Sequence, residues 1–128
     1  TAETEYLNQL DDFLKKAKEK GYKLAIGSSS RNAPTILKAI HLIDEFDAII
    51  DGNKISNSKP HPEVFEKGAK ALNFRAEDCV VFEDALAGVE AAKNAGMKCI
   101  GVGDPNVLQM ADKVIPGFIH TNLDILEF

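Results

Sequence analysis

The sequence predicts an α/β domain, a parallel sheet with helices on both faces, on two observations. Short apolar runs alternate with stretches of helical period, and each short run gives way to a polar or glycine-containing turn. Strands joined through helices of about 10 to 15 residues must run parallel, and a parallel sheet needs both faces covered.

Each element has its own signal. Over residues 5 to 20, Tyr6, Leu7, Leu10, Phe13, Leu14 and Ala17 share one face, and Lys15, Lys16, Lys18 and Lys20 gather near the end. That is an amphipathic helix with cations at its C-terminus, stopped by Gly21. Lys23 to Gly27 reads as a buried strand running into Ser28, Ser29 and Ser30. Pro34 opens a second helix with Ile36, Leu37, Ile40 and Ile43 inward. A strand follows at Asp47 to Ile50, closed by the turn signal Asp51-Gly52. Residues 53 to 60 form a polar loop, and Pro62 starts a helix that runs through Leu72. Cys79 to Phe82 is the third strand, Ala85 to Ala95 a small-residue helix ended by Gly96, and Lys98 to Val102 the fourth strand. The tail is less regular, with Leu123 to Phe128 a short helix or an extended segment.

Composition removes several classes of function. The chain of 128 residues is 45% hydrophobic and 27% charged, the profile of one globular domain with a modest core. A net charge of -5 offers no basic face for nucleic acid. No apolar run approaches the roughly 20 residues of a spanning helix, so no membrane partner is expected. Cys79 and Cys99 lie in apolar runs and read as reduced, buried thiols of a cytoplasmic protein. Neither they nor the scattered His41, His61 and His120 have zinc spacing. Gly101-Val102-Gly103 lacks the third glycine of a dinucleotide turn. Met97 and Met110 read as core fillers.

Ligands of open parallel sheets bind beyond the carboxyl ends of the strands. Those ends carry Ser28-Ser29-Ser30-Arg31-Asn32, then Lys59 within a loop, then Glu83 and Asp84, then Gly103 and Asp104. Hydroxyls, a guanidinium, an ammonium and paired carboxylates suit a phosphate held beside a hard cation. Adjacent carboxylates at a strand mouth repel one another unless a cation or proton neutralises one, and magnesium does so well. The alternative is structural, with Asp84 capping the next helix and Glu83 facing water; one Asp84 can also serve both ends. The serine run with Arg31 and Asn32 can donate several hydrogen bonds to phosphate, helped by the helix opening near Pro34. Lys59, alone a surface lysine, precedes Pro60, which biases its backbone toward an extended form that can aim the ammonium.

Ser28, Lys59 and Glu83-Asp84, in that order, resemble motifs II, III and IV of the haloacid dehalogenase superfamily. The segments "AIGSSSRNA", "FDAIIDG", "SKPHPEVF", "VVFEDALAGVEAAKNAGM" and "IGVG" are similar to its β-phosphoglucomutase branch, from about Lys23 to Ile115. The resemblance implies that Ser28 hydrogen-bonds the phosphoryl group in transfer and that Lys59 neutralises it. It implies Mg2+ on Glu83 and Asp84, and it has Ser29, Ser30, Arg31 and Asn32 among the groups that hold substrate phosphate. The implied activity is interconversion of β-D-glucose 1-phosphate and D-glucose 6-phosphate through an aspartyl phosphate and a bisphosphate intermediate. A sugar-phosphate or phosphoglycolate phosphatase of the same superfamily is the first alternative. A non-catalytic receiver-like phosphate-binding module is the second. The sequence contains no Asp-x-Asp-Gly segment, the family's nucleophile and acid/base pair. Residues 1-128 are therefore expected to be a single core-domain fragment that lacks the nucleophile strand and the helical cap and is inactive alone. The gap in its sheet, between the Ser28 and Glu83 strands, would be filled by an N-terminal segment or by another chain.

Overall fold

The structure, a computed structural model, describes residues 2–28 and 43–128. Helix α1 (Ala2–Glu19) buries Phe13 and Ala17, one turn apart. It ends where Gly21 takes a φ of 91°, and the Tyr22 amide donates back to the Ala17 carbonyl at 3.1 Å. That left-handed turn satisfies carbonyls the helix leaves open and releases the chain into a strand.

Strand β1 (Ala25–Gly27) pairs in parallel with β2 (Ala48–Ile50), Ala25 opposite Ala48 and Gly27 opposite Ile50. Asp47 sets this register, its Oδ2 accepting from the Leu24 amide at 2.8 Å while its own amide donates to the Leu24 carbonyl at 2.7 Å. Helix α2 (Glu63–Leu72) packs on both strands. A second sheet holds β3 (Val80–Glu83), β4 (Lys98–Val102) and β5 (Lys113–Ile115), in that order and all parallel, with α3 (Leu86–Asn94) packed on β3 and β4. No strand among the described residues joins β1 to β3.

The core lies on both faces of β4, because successive strand residues point to opposite sides. Cys99 joins Val89, Ala92, Met97 and Leu108 on one face; Ile100 joins Phe13, Ile115 and Phe118 on the other. Burying an isoleucine such as Ile100 completely is worth about 1.5–3 kcal/mol. Phe13, Phe82 and Phe118 meet with ring centroids 5.3 to 5.6 Å apart, clamping α1 onto the second sheet. Gly101 lets Leu108 lie on the strand, since a Cβ there would stand 3.0 Å from that of Leu108.

The expected alternation holds, with differences at the edges. The first strand covers Ala25–Gly27 only, and β3 extends to Glu83. Lys113–Ile115 is a strand that the irregular tail did not suggest; three residues before Pro116 carry no readable period, and pairing with β4 makes them extended. The tail ends in a 3-10 turn, Leu123–Leu126, capped by Asn122 Oδ1 on the Asp124 amide at 2.9 Å. Met97 is a core filler, but Met110 is 51% exposed. The helix expected from Pro34 lies outside the described residues.

Candidate active site

Ser28 is the first residue past β1, half-buried, and its amide donates to the Ile50 carbonyl at 2.9 Å, so the β1–β2 pairing fixes its backbone. From the loop before α2, Lys59 reaches the same rim. Its Nζ stands 2.9 Å from Glu83 Oε2 at the end of β3 and 3.5 Å from the Gly27 carbonyl at the end of β1. The ammonium also lies over the Phe65 ring, 5.1 Å from its centroid. Side-chain exposure is 20% for Lys59 and 11% for Glu83, so the pair is shielded from water far more than an ordinary surface pair. Lys59 and Glu83 thus meet between the mouths of β1 and β3, and Ser28 is the residue after Gly27 on that rim.

Two ties hold the lysine loop. The Glu63 carboxylate, in the first turn of α2, accepts from the Ser56 amide, from the Asn57 amide at 3.1 Å and from Asn57 Nδ2 at 3.4 Å. The Asn57 and Ser56 amides hold the Glu63 carboxyl below its usual range. Asn94, near the end of α3, donates through Nδ2 to the Pro60 carbonyl at 3.1 Å. Glu63 carries a faint sequence signal, an acid just after a helix-starting proline. Asn94 carries none, since its partner is 34 residues away.

The structure corrects the purely structural account of the acidic pair. Asp84 does not cap α3; the N-cap position belongs to Ala85, which has no side-chain cap. Nor does Glu83 face water. Its Oε1 accepts from the Asp84 amide at 3.1 Å and the Ala85 amide at 3.3 Å, while Oε2 holds Lys59. Asp84 is exposed at the mouth. Asp104, past β4, turns its Oδ1 to the Asn106 amide at 2.9 Å and closes a turn. Asp51, 7% exposed at the end of β2, accepts from the Asn53 amide at 2.8 Å. Ser29, Ser30, Arg31 and Asn32 lie outside the described residues.

Among the described residues no three His, Cys, Asp or Glu side chains cluster as a metal cage. The Glu83-Asp84 donors nevertheless fit Mg2+. They are hard oxygens on adjacent residues, and magnesium commonly takes one or two protein carboxylates and completes its shell with phosphate and water.

Comparison with known proteins shows the family. Residues 1–102 match the sequence profile described as haloacid dehalogenase-like hydrolase. The chain is 39% identical over 109 residues to the β-phosphoglucomutase of Bacillus subtilis (strain 168), covering 85% of this chain and 48% of that protein. It is 41% identical over 85 residues to a phosphorylated carbohydrates phosphatase of Thermotoga maritima, covering 65% and 39%. The crystal structure of β-phosphoglucomutase from Clostridium difficile superposes with a TM-score of 0.89 at 34% identity, over 93% of this chain and 53% of that one. The chain belongs to the haloacid dehalogenase-like hydrolase family, in its β-phosphoglucomutase-like branch. It spans about half the length, or less, of the curated relatives it matches.

Proposed function

We propose that the protein carrying this chain is a magnesium-dependent phosphosugar mutase that interconverts β-D-glucose 1-phosphate and D-glucose 6-phosphate. The observation behind this reading is the Lys59 ammonium, 2.9 Å from Glu83 and 3.5 Å from the Gly27 carbonyl, beside Ser28. In the proposal the Ser28 hydroxyl donates to a phosphoryl oxygen and Lys59 neutralises the charge that spreads over those oxygens. Glu83 and Asp84 hold Mg2+, which draws charge off the same oxygens when bound. Ser29, Ser30, Arg31 and Asn32 hold substrate phosphate, the last three gripping the one that is not reacting.

The transfer is an in-line exchange: a P–O bond to an aspartyl carboxylate breaks as one to a sugar hydroxyl forms, and the hydroxyl proton passes to a base. Both aspartates come, in this proposal, from a segment outside residues 1–128, whose strand would fill the gap between β1 and β3. Free Cys79 and Cys99 go with a cytoplasmic location. A phosphatase is the second reading, supported by the 41% identity to the Thermotoga maritima enzyme. A receiver-like module has no such support.

One assay separates them. With the complete protein first primed on its aspartate by a trace of acetyl phosphate, then given Mg2+ and β-D-glucose 1-phosphate, the mutase reading expects glucose 6-phosphate with no free phosphate beyond the priming amount. Phosphate release without glucose 6-phosphate gives the hydrolase, and neither product from this substrate overturns the mutase.

A further inference from the structure

Helix α3 contains a glycine at its third position, Gly88, where glycine costs about 1 kcal/mol relative to alanine. It needs no unusual backbone, for it is not among the residues with positive φ. The space beside it supplies the reason. A Cβ on Gly88 would stand 2.0 Å from Cδ, 2.1 Å from Cγ and 2.1 Å from Oε2 of Glu83. Its three nearest neighbours all belong to that one side chain, at the end of β3. Gly68 provides the internal contrast: it is also buried in a helix, α2, yet a Cβ there would meet nothing within 4 Å.

We propose that Gly88 is a positioning residue whose missing side chain leaves room for Glu83 to fold over the first turn of α3. Folded that way, Glu83 brings Oε2 to Lys59 while Oε1 takes the Asp84 and Ala85 amides. The proposal rests on the reading of Glu83 as a site residue and adds to it what fixes the carboxylate's place. Any larger side chain at position 88 drives the end of Glu83 away, which costs the fold no more than the tie to Lys59 and costs the site its geometry. Replacing a purely structural glycine would do the reverse, lowering stability with the carboxylate undisturbed.

The test compares G88A with G68A in the complete protein. In G88A the amide resonances of Asp84 and Ala85 should shift and exchange about tenfold faster, the scale of one hydrogen bond to a charged acceptor. In G68A they should stay put. The melting temperature of G88A should fall by no more than that of K59A, because parting Glu83 from Lys59 is offset in part by alanine's preference for helix. If G88A folds poorly, the double variant G88A/E83A should be as stable as E83A alone, because the clashing arm is gone in both. Unmoved Asp84 and Ala85 amides in folded G88A, or a double variant less stable than E83A, overturns the proposal. Mg2+ titrated calorimetrically at two temperatures into the complete wild-type protein reads the metal assignment separately. Absence of heat at both removes the metal from the site and leaves the amide result to decide Gly88.

Discussion

Lys59 and Glu83 are each the other's counter-charge in a shielded place, so removing one strands the other. K59A should lower stability by about 1–3 kcal/mol, the cost of leaving a part-buried charged group without its partner. Urea unfolding measures this, and in the complete protein the same change should cut phosphoryl transfer about a hundredfold or more. A loss below tenfold would remove Lys59 from the chemistry. Cys99 gives a second residue-level expectation. Burial first, then the nearby Glu83 and Asp112 carboxylates, push its thiol up to about 11. At pH 8 about one molecule in a thousand then carries the reactive thiolate. A disulfide reagent should label the half-buried Cys79 first and reach Cys99 only at the rate of unfolding; equal labelling of both in the folded state contradicts this. Asp112 ties β4 to the chain beyond it. Burial would raise its carboxyl, but the Lys93 ammonium at 2.8 Å and the Cys99 amide at 2.7 Å outweigh that and hold it low. A carboxyl lowered by folding stabilises above its unfolded value of about 3.9 and loses that contribution as pH falls through the lower folded value. D112N should therefore be less stable than wild type at pH 7 by about 1 kcal/mol, a modest figure because the pair is partly solvated. The gap should close below about pH 4, and a gap independent of pH would deny the ion pair its part.

The three α-helices among the described residues share one ending. Gly21, Asn73 and Gly96 take φ values of 91°, 62° and 78°, and the next residue in each case donates back across the last turn to Ala17, Ala69 or Ala92. A Cβ on Gly96 would meet only the Ala76 methyl, at 3.9 Å, so G96A has room and suffers chiefly from left-handed backbone. It should cost about 1 kcal/mol in thermal or urea unfolding. No measurable loss would mean that the turn re-forms without the left-handed residue. These endings explain what was legible in the sequence. Gly21 and Gly96 stop periodic patterns, and Lys98–Val102 reads as the strand it is, because local preference and fold agree there. β5 was not legible, being extended only through β4 and Pro116. The site divides the same way. Ser28, Lys59 and Glu83 could be found because each sits past or at a strand end, or in the loop that returns there. Asn94 acts on a group 34 residues away, and the space at Gly88 and Asp84's missing cap both depend on where the Glu83 side chain folds, so spacing could not disclose them.

At the scale of the molecule the main fact is the break in the sheet. β4 is paired on both sides, whereas β1 and β3 each have one strand partner among the described residues. Parallel strands are ordinarily interior, and their apolar residues, here Ile26, Val80, Val81 and Phe82, suit a covered position. Across the break Lys59 ties the strand ends, between Gly27 and Glu83. An open edge with free amides and carbonyls pairs with whatever strand comes near. If a segment outside residues 1–128 fills that place, as proposed, the chain by itself should unfold with little cooperativity. Its urea slope should fall under the 1 kcal/mol per molar that marks about the lower end for small domains. Amide exchange should then be slowest in β4 and markedly faster in β1 and β3, and the sedimentation coefficient should rise with concentration as open edges pair. In the complete protein all three signs should vanish together: a steep transition, even protection across the strands, and no concentration dependence. A steep, concentration-independent transition for residues 1–128 alone, with β1 and β3 protected as well as β4, would show that the two sheets need nothing between them.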